Sequence, residues 1–285
     1  LWDDLLDNLT IEEMVPFIVD ARFVTPEIER IGLNGQVMID GPQGLNGWMV
    51  GISGTSYPVQ EYVALTWNTE IAAKQGELLA REARASNVSG LLAPAVNIHR
   101  TPYCGRNFEY YSEDGFLSGK MAAQMSYAAR EQGVTVFVKH FALNDQEQLR
   151  GEYYTSLFTW SNEQAMREIY LKPFELAVKE GRTTGMMTSF NRVGATWTGA
   201  SKALLTDLLR TEWGFKGSVV TDLYVGAMNN EWWMDIEQGI RAGNDMWLTA
   251  FVAGEIDSSD PDNQYYLREC MRHIIYMVSQ STVSP

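Results

Sequence analysis

Short, nearly continuous apolar runs recur along the chain, separated by longer stretches whose apolar positions repeat at helical spacing. The runs predict strands at Gln36–Asp40, Val63–Trp67, Leu91–Val96, Thr135–His140, Gly185–Phe190, Ser218–Asp222 and Asn244–Thr249. Several lack polar alternation, as suits parallel strands covered on both faces. Between them, Thr69–Ser86 carries Ala, Ile and Leu at helical spacing. Asn162–Glu180 opens on Ser161-x-x-Gln164, a capping-box-like start, and stops before Gly181. Ala203–Trp213 predicts a shorter helix stopped by Gly214, and Tyr265–Ser279 a closing one. The polar stretch Ala253–Gln264, with Pro261 inside it, reads as a surface loop. About seven strand–helix units favour a TIM-like (β/α) barrel over a doubly wound sheet. Gly, Pro and Asn crowd residues 41–58, so the first units are expected to be incomplete or distorted. With no internal repeat or interdomain linker, residues 1–285 read as a single barrel domain.

Composition narrows the partners. The 22 basic and 36 acidic residues give a net charge of −14, which repels a phosphate backbone or an anionic membrane surface. Nucleic acid and membrane are therefore set aside, and a neutral substrate is the easier reading. No run of about 18 apolar residues is present to span a bilayer. Cys104 and Cys270 form no CxxC pair, which argues against a disulfide scaffold and a structural zinc site. Two unpaired thiols lean toward the cytoplasm, with secretion as the alternative. The opening Leu1-Trp2-Asp3-Asp4 has no initiator Met and no basic stretch leading into an apolar one, so the chain reads as cut from something longer.

Candidate chemistry sits at strand ends. Asp40 follows Val37-Met38-Ile39, Lys139-His140 follows Val136-Phe137-Val138, and Asp222 follows Val219-Val220-Thr221. In barrel enzymes the C-terminal edge of the strands forms the active face. A charge ending a buried strand costs several kcal/mol to desolvate unless something there uses it. A helix cap or structural ion pair would explain any one such residue, but three of them weaken that account. There is no GxSxG elbow, HExxH pair, Walker loop or GxGxxG fingerprint, and the only histidines are His99, His140 and His273. Serine-triad, zinc and nucleotide chemistries are thus poorly supported and no cofactor is expected. Carboxylate chemistry among 9 Trp, 13 Tyr and 11 Phe remains, a composition suited to stacking sugar rings, although most of these aromatics serve the core.

Seven ordered segments carry a family resemblance: Asp40-Gly41-Pro42-Gln43-Gly44, Asn97 to Pro102, Gly105-Arg106-Asn107-Phe108-Glu109, Tyr111-Ser112-Glu113-Asp114, Val138 to Glu147, Arg167 to Glu175, and Val219-Val220-Thr221-Asp222. Together they resemble the barrel domain of glycoside hydrolase family 3, β-glucosidase branch, from about residue 4 to the end. The resemblance implies a retaining β-glycosidase acting on terminal β-linked sugars of a β-glucoside or related oligosaccharide. It implies that Asp222 is the nucleophile, forming a glycosyl-enzyme that water hydrolyses. Asp40 would accept hydrogen bonds from the far-side hydroxyls of the glycone, with Arg106, Lys139 and His140 as donors around the same ring. Two departures stand out. Phe190 sits where many relatives carry Tyr, and Leu223-Tyr224 follows the nucleophile where Trp is frequent, which should weaken aglycone stacking unless Tyr224 or another ring substitutes.

Retaining chemistry needs a second carboxyl group ~5–5.5 Å from the nucleophile. In the glucosidase branch it comes from an α/β-sandwich domain, of which these residues show no sign. The stretch from Tyr265 to Val278 resembles the end of relatives whose sandwich precedes the barrel, so the acid/base is expected from a missing domain or a partner chain. Glu109, Glu113, Glu147 and Glu152 are internal substitutes, each more readily explained as a structural hydrogen-bonding residue. A barrel that binds sugar without turnover is the competing class. Loss of turnover would let Asp222 drift, so its presence favours the enzyme.

Overall fold

The computed structural model describes residues 2–150, 157–225, 233–250 and 253–283. Five strands form its parallel sheet: β1 (Met38–Asp40), β2 (Gly90–Leu92), β3 (Thr135–Phe141), β4 (Gly185–Thr188) and β5 (Ser218–Val220). They lie in the order β5-β4-β3-β2-β1, and β1 continues into a short antiparallel hairpin, Asn46–Gly47 and Ile52–Ser53. All seven residues of β3 are buried, as its unbroken apolar run predicts.

The strands alternate between two faces. Met38, Leu92, Phe137, Met187, Val220 and Met246 belong to one buried cluster. Their neighbours Ile39, Leu91 and Val136 pack in a second, and Val138, Met186 and Val219 in a third. Side chains of one register thus fill the barrel while the other register meets the surrounding helices. The helices Thr69–Ala85 and Gly115–Glu131 begin on Asn68 and Asp114, whose side chains accept from the exposed N–H groups of the first turn. These two helices touch at Gly76, where any Cβ would meet the Met125 carbonyl.

The ring closes through irregular backbone. Met246 bridges Val220, and Thr249 bridges Tyr224. On the next side the Trp247 N–H donates to the Ile18 carbonyl at 2.8 Å and the Met38 N–H to Phe23 at 2.8 Å. Val24 pairs antiparallel with Val37. The segment from Ala21 to Thr25, which follows a helix ending at Val19, therefore occupies a strand position without parallel pairing. The expected barrel with distorted first units is what the structure shows.

Several expectations need correction. Val63–Trp67 is no strand, because Gln60–Leu65 is a helix that buries Val63 and Ala64 and exposes Tyr62 and Leu65. A five-residue apolar run fits either element. Here the Gln60 side chain takes the place of a ladder, donating to the Ala95 carbonyl at 2.8 Å and accepting its N–H at 3.1 Å. Asn244–Thr249 pairs only at isolated bridges, since the Asp245 carboxylate intercepts the Val219 N–H at 2.7 Å and also holds Arg210 and His273. The helix expected over Asn162–Glu180 is capped by Asn162 rather than Ser161, and a π-turn at Met166–Tyr170 interrupts it ahead of Pro173. Ala203–Glu212 is likewise π-helical. The loop expected through Gln264 ends early, because Asp260 caps a helix whose first residue is Pro261.

Candidate active site

The C-terminal ends of the strands open into a cleft of about 510 Å³, within the range of small-molecule sites. Asp40, Arg106, Lys139, His140 and Asp222 all line it. The five residues singled out from the sequence are therefore brought together. Asp40 closes β1, and Asp222 lies two residues beyond β5. Lys139 and His140 are consecutive, yet both face the cleft where the β3–β4 register shifts between Val138 and Phe141. Arg106 comes from the turn preceding Asn107–Glu109.

The cleft is a chain of alternating charges. Lys139 Nζ lies 3.1 Å from Asp40 Oδ1 and 3.3 Å from Glu109 Oε1. Arg106 Nε donates to Glu109 Oε2 at 2.7 Å. Burial alone would push the Glu109 carboxyl up, but Lys139 and Arg106 outweigh it and hold the acid below its ordinary value. Burial likewise pulls Lys139 down, and Asp40 and Glu109 more than restore it. Both groups are thus held charged.

His140 is fixed from two sides by Asn97. The Asn97 Oδ1 accepts the His140 N–H at 2.8 Å, and its Nδ2 donates to the His140 carbonyl at 3.0 Å. The ring Nδ1 lies 3.3 Å from the Tyr110 hydroxyl, leaving Nε2 4.0 Å from Asp222 Oδ2. Burial, then Arg106, Lys139 and Arg150, lower the His140 pKa far below its usual value, so the imidazole is neutral.

Asp222 combines burial with an uncommitted oxygen. The Leu223 N–H donates to Oδ1 at 2.8 Å, whereas Oδ2 has no hydrogen-bond partner among the described residues. Burial raises its pKa, and Arg150 and then Arg106 pull the other way. Arg150 is the residue that sequence reasoning missed. Its Nη1 stands 3.6 Å from Asp222 Oδ2, its Nε 2.7 Å from Glu147 Oε2, and its guanidinium over the Phe190 ring at 5.0 Å. The only signal in the sequence was its place in the polar run that follows β3.

The internal substitutes for the second carboxyl group separate clearly. Glu109 is pinned between two cations. Glu113 is exposed and does not line this cleft. Glu147 does line the cleft, with burial raising its pKa, but Arg150 and Asn144 hold both its oxygens. Glu152 lies outside the described residues. Tyr224 does not replace the missing Trp: it is buried in the core cluster, while Phe23 and Trp48, stacked edge to face at 5.9 Å, line the cleft with Phe190. Among the described residues no group of three or more His, Cys, Asp or Glu side chains could hold a metal.

Comparisons with known proteins agree in direction. The family model described as "Glycosyl hydrolase family 3 N terminal domain" matches residues 21–253. Beta-glucosidase B of Emericella nidulans is 40% identical over 226 residues, covering 77% of this chain and 26% of that protein. A probable beta-glucosidase I of Aspergillus terreus is 33% identical over 284 residues, covering 96% of this chain and 32% of its own. The solved structure of beta-glucosidase 3B from Thermotoga neapolitana in complex with glucose superposes with a TM-score of 0.83 at 32% identity, covering 98% of this chain and 42% of that one. The chain thus spans between about a quarter and about two fifths of the length of these relatives.

Proposed function

The chain belongs to glycosyl hydrolase family 3, and from that premise we propose that it is the barrel portion of a retaining β-glucosidase that works through a covalent glycosyl-Asp222 intermediate. One observation carries the reading: the Asp222 carboxylate, just beyond a strand end and with an Oδ2 that takes no hydrogen bond among the described residues, lines one cleft with Asp40, Arg106, Lys139 and neutral His140. In its ionised form Asp222 attacks the anomeric carbon of a terminal β-glucosyl unit, and the aglycone oxygen leaves. Arg150 and Arg106 favour that ionised form against the cost of burial. Asp40 accepts hydrogen bonds from the far-side hydroxyls of the glycone, while Arg106 and Lys139 orient both the sugar and that carboxylate.

The acid that protonates the leaving group is supplied, in this reading, by a domain or chain outside these residues. Two facts support it: Glu109 is held ionised by two cations, and the relatives are more than twice as long. The substrate is a β-glucoside or related oligosaccharide. The cytoplasm remains the proposed location, supported by two buried free thiols; no helix among the described residues is long and apolar enough to cross a membrane.

Trapping with a 2-deoxy-2-fluoro-β-glucoside bearing a dinitrophenyl leaving group tests the proposal. Mass spectrometry should find one glucosyl adduct, on Asp222. Reversible binding without an adduct would replace the enzyme by a sugar-binding barrel, and an adduct elsewhere would overturn the assignment.

A further inference from the structure

A second cavity of about 380 Å³ adjoins the cleft. The two share Asp40, Arg106 and Lys139, so Asp40 has open space on both sides and is a partition rather than an end wall. Its side chain is 34% exposed and takes one hydrogen bond among the described residues, from Lys139, leaving acceptor capacity toward either space.

The far wall of this cavity is built for a polar, uncharged guest. Asn46, Thr55 and Ser56 present amide and hydroxyl groups from exposed positions. Gln43 lines the same wall, and its buried Nε2 has no hydrogen-bond partner among the described residues. Phe108 offers a ring face that is 48% exposed. The wall is also anchored: Glu82 accepts the Thr55 N–H at 3.0 Å and the Tyr57 hydroxyl at 2.7 Å. Hydroxyl and amide groups beside one aromatic face suit a pyranose, and the volume lies within the range of small-ligand sites.

We propose that this cavity is a subsite for a second pyranose, linked to the glycone through the hydroxyl that faces Asp40. The enzyme then accepts disaccharide glycones and removes them as units. The inference rests on the assignment of the main cleft to the glycone. In the covalent step, an Asp222 oxygen bonds to the anomeric carbon as the bond to the leaving oxygen breaks with its electron pair. A dinitrophenyl leaving group departs as the phenolate and needs no proton, and the disaccharide remains on Asp222 as an ester.

The purified chain is incubated with dinitrophenyl 2-deoxy-2-fluoro-β-glycosides of glucose, cellobiose and gentiobiose, the latter two placing the second ring on a 1,4 or a 1,6 linkage. At least one disaccharide should label Asp222 at a rate within about tenfold of glucose. Ser56→Trp, which fills the second cavity, should slow that labelling roughly tenfold or more and leave glucosyl labelling within about twofold. Phe108→Ala, an exposed change that spares the fold, should weaken calorimetric binding of the same free disaccharide roughly tenfold and leave glucose binding unchanged. Labelling by glucose but by neither disaccharide overturns the subsite, as does a Ser56→Trp effect equal on both donors. Absence of all labelling counts against Asp222 as nucleophile; binding then decides the subsite, and an equal effect of Phe108→Ala on glucose and disaccharide overturns it.

Discussion

Arg150 stands between two carboxylates, 2.7 Å from Glu147 and 3.6 Å from Asp222, and its guanidinium lies over the ring of Phe190. The cation is therefore anchored on one acid while it favours ionisation of the other against burial. Arg150→Gln should leave Asp222 more reluctant to ionise, since burial already raises its pKa and Arg150 is the largest opposing influence. The sign is definite: attack needs the carboxylate, so the acid limb of the trapping rate should move to higher pH. Rates of adduct formation between pH 4 and pH 8 measure the shift, and an unmoved limb would deny Arg150 this role.

Asp222→Asn removes the attacking group without changing the shape of the site. Adduct formation should fall by at least about a thousandfold, and turnover by the domain-complete enzyme should fall similarly. Circular dichroism should stay unchanged, because the Leu223 N–H can still donate to the amide oxygen. A variant that keeps more than about a hundredth of the wild-type rate is incompatible with the assignment.

Asp40→Asn tests the glycone contacts. The substitution removes the charge from the hydrogen bond that Lys139 donates and from those of the sugar hydroxyls, charged bonds worth roughly 1.5–3 kcal/mol each. Glucose affinity measured by titration calorimetry should drop at least about tenfold.

A domain-supplied acid predicts a strong dependence on the leaving group. The isolated chain should be glycosylated by dinitrophenyl glucosides and stall there, but hydrolyse cellobiose far below the ~10 s⁻¹ of a typical enzyme. Normal cellobiose turnover by the chain as a monomer would bring Glu147 forward, together with Glu152.

Asp145 predicts how stability varies with pH. Its carboxyl accepts the Ile98 N–H, and burial pushes its pKa up to about 7. A raised folded-state value means the native state holds a proton that the unfolded chain has released. Stability should thus fall as pH rises from about 4 to about 7 and level off above, by on the order of 4 kcal/mol. Urea midpoints at pH 4.5 and pH 7.5 should differ less in Asp145→Asn than in the parent.

The sequence was most legible where one physical signal dominated. Unbroken apolar runs located β3 and β4 because burial on both faces leaves no other composition. A carboxylate or cation after such a run located Asp40, Lys139, His140 and Asp222, since desolvation makes those positions costly. Arg106 needed the family resemblance, because it sits in a turn. Arg150 escaped because nothing in a polar loop reveals which member folds back. Val63–Trp67 misled for a tertiary reason: the Gln60 side chain at the start of its helix, and no strand, pairs with the Ala95 backbone, a pairing with no local trace. Asn244–Thr249 failed similarly, through the Asp245 carboxylate. Phe23 and Trp48 lay in the irregular first units, where neither period applies.

That irregular region has a mechanical consequence. The segment from Ala21 to Thr25 is held in the ring by scattered single hydrogen bonds to Gln36 and Met38, and the helix end before it by single bonds to Trp247 and Gly254. It is a seam, and local opening there should cost less than the opening of any fully paired strand. Amide exchange at Val24 and Thr25 should accordingly outpace exchange at Val136 and Val138 by orders of magnitude. Phe23 lies on the seam and also lines the cleft. A sugar resting against that ring would clamp the stave it belongs to, so the seam's exchange rate becomes a gauge of occupancy that requires no chemistry at all.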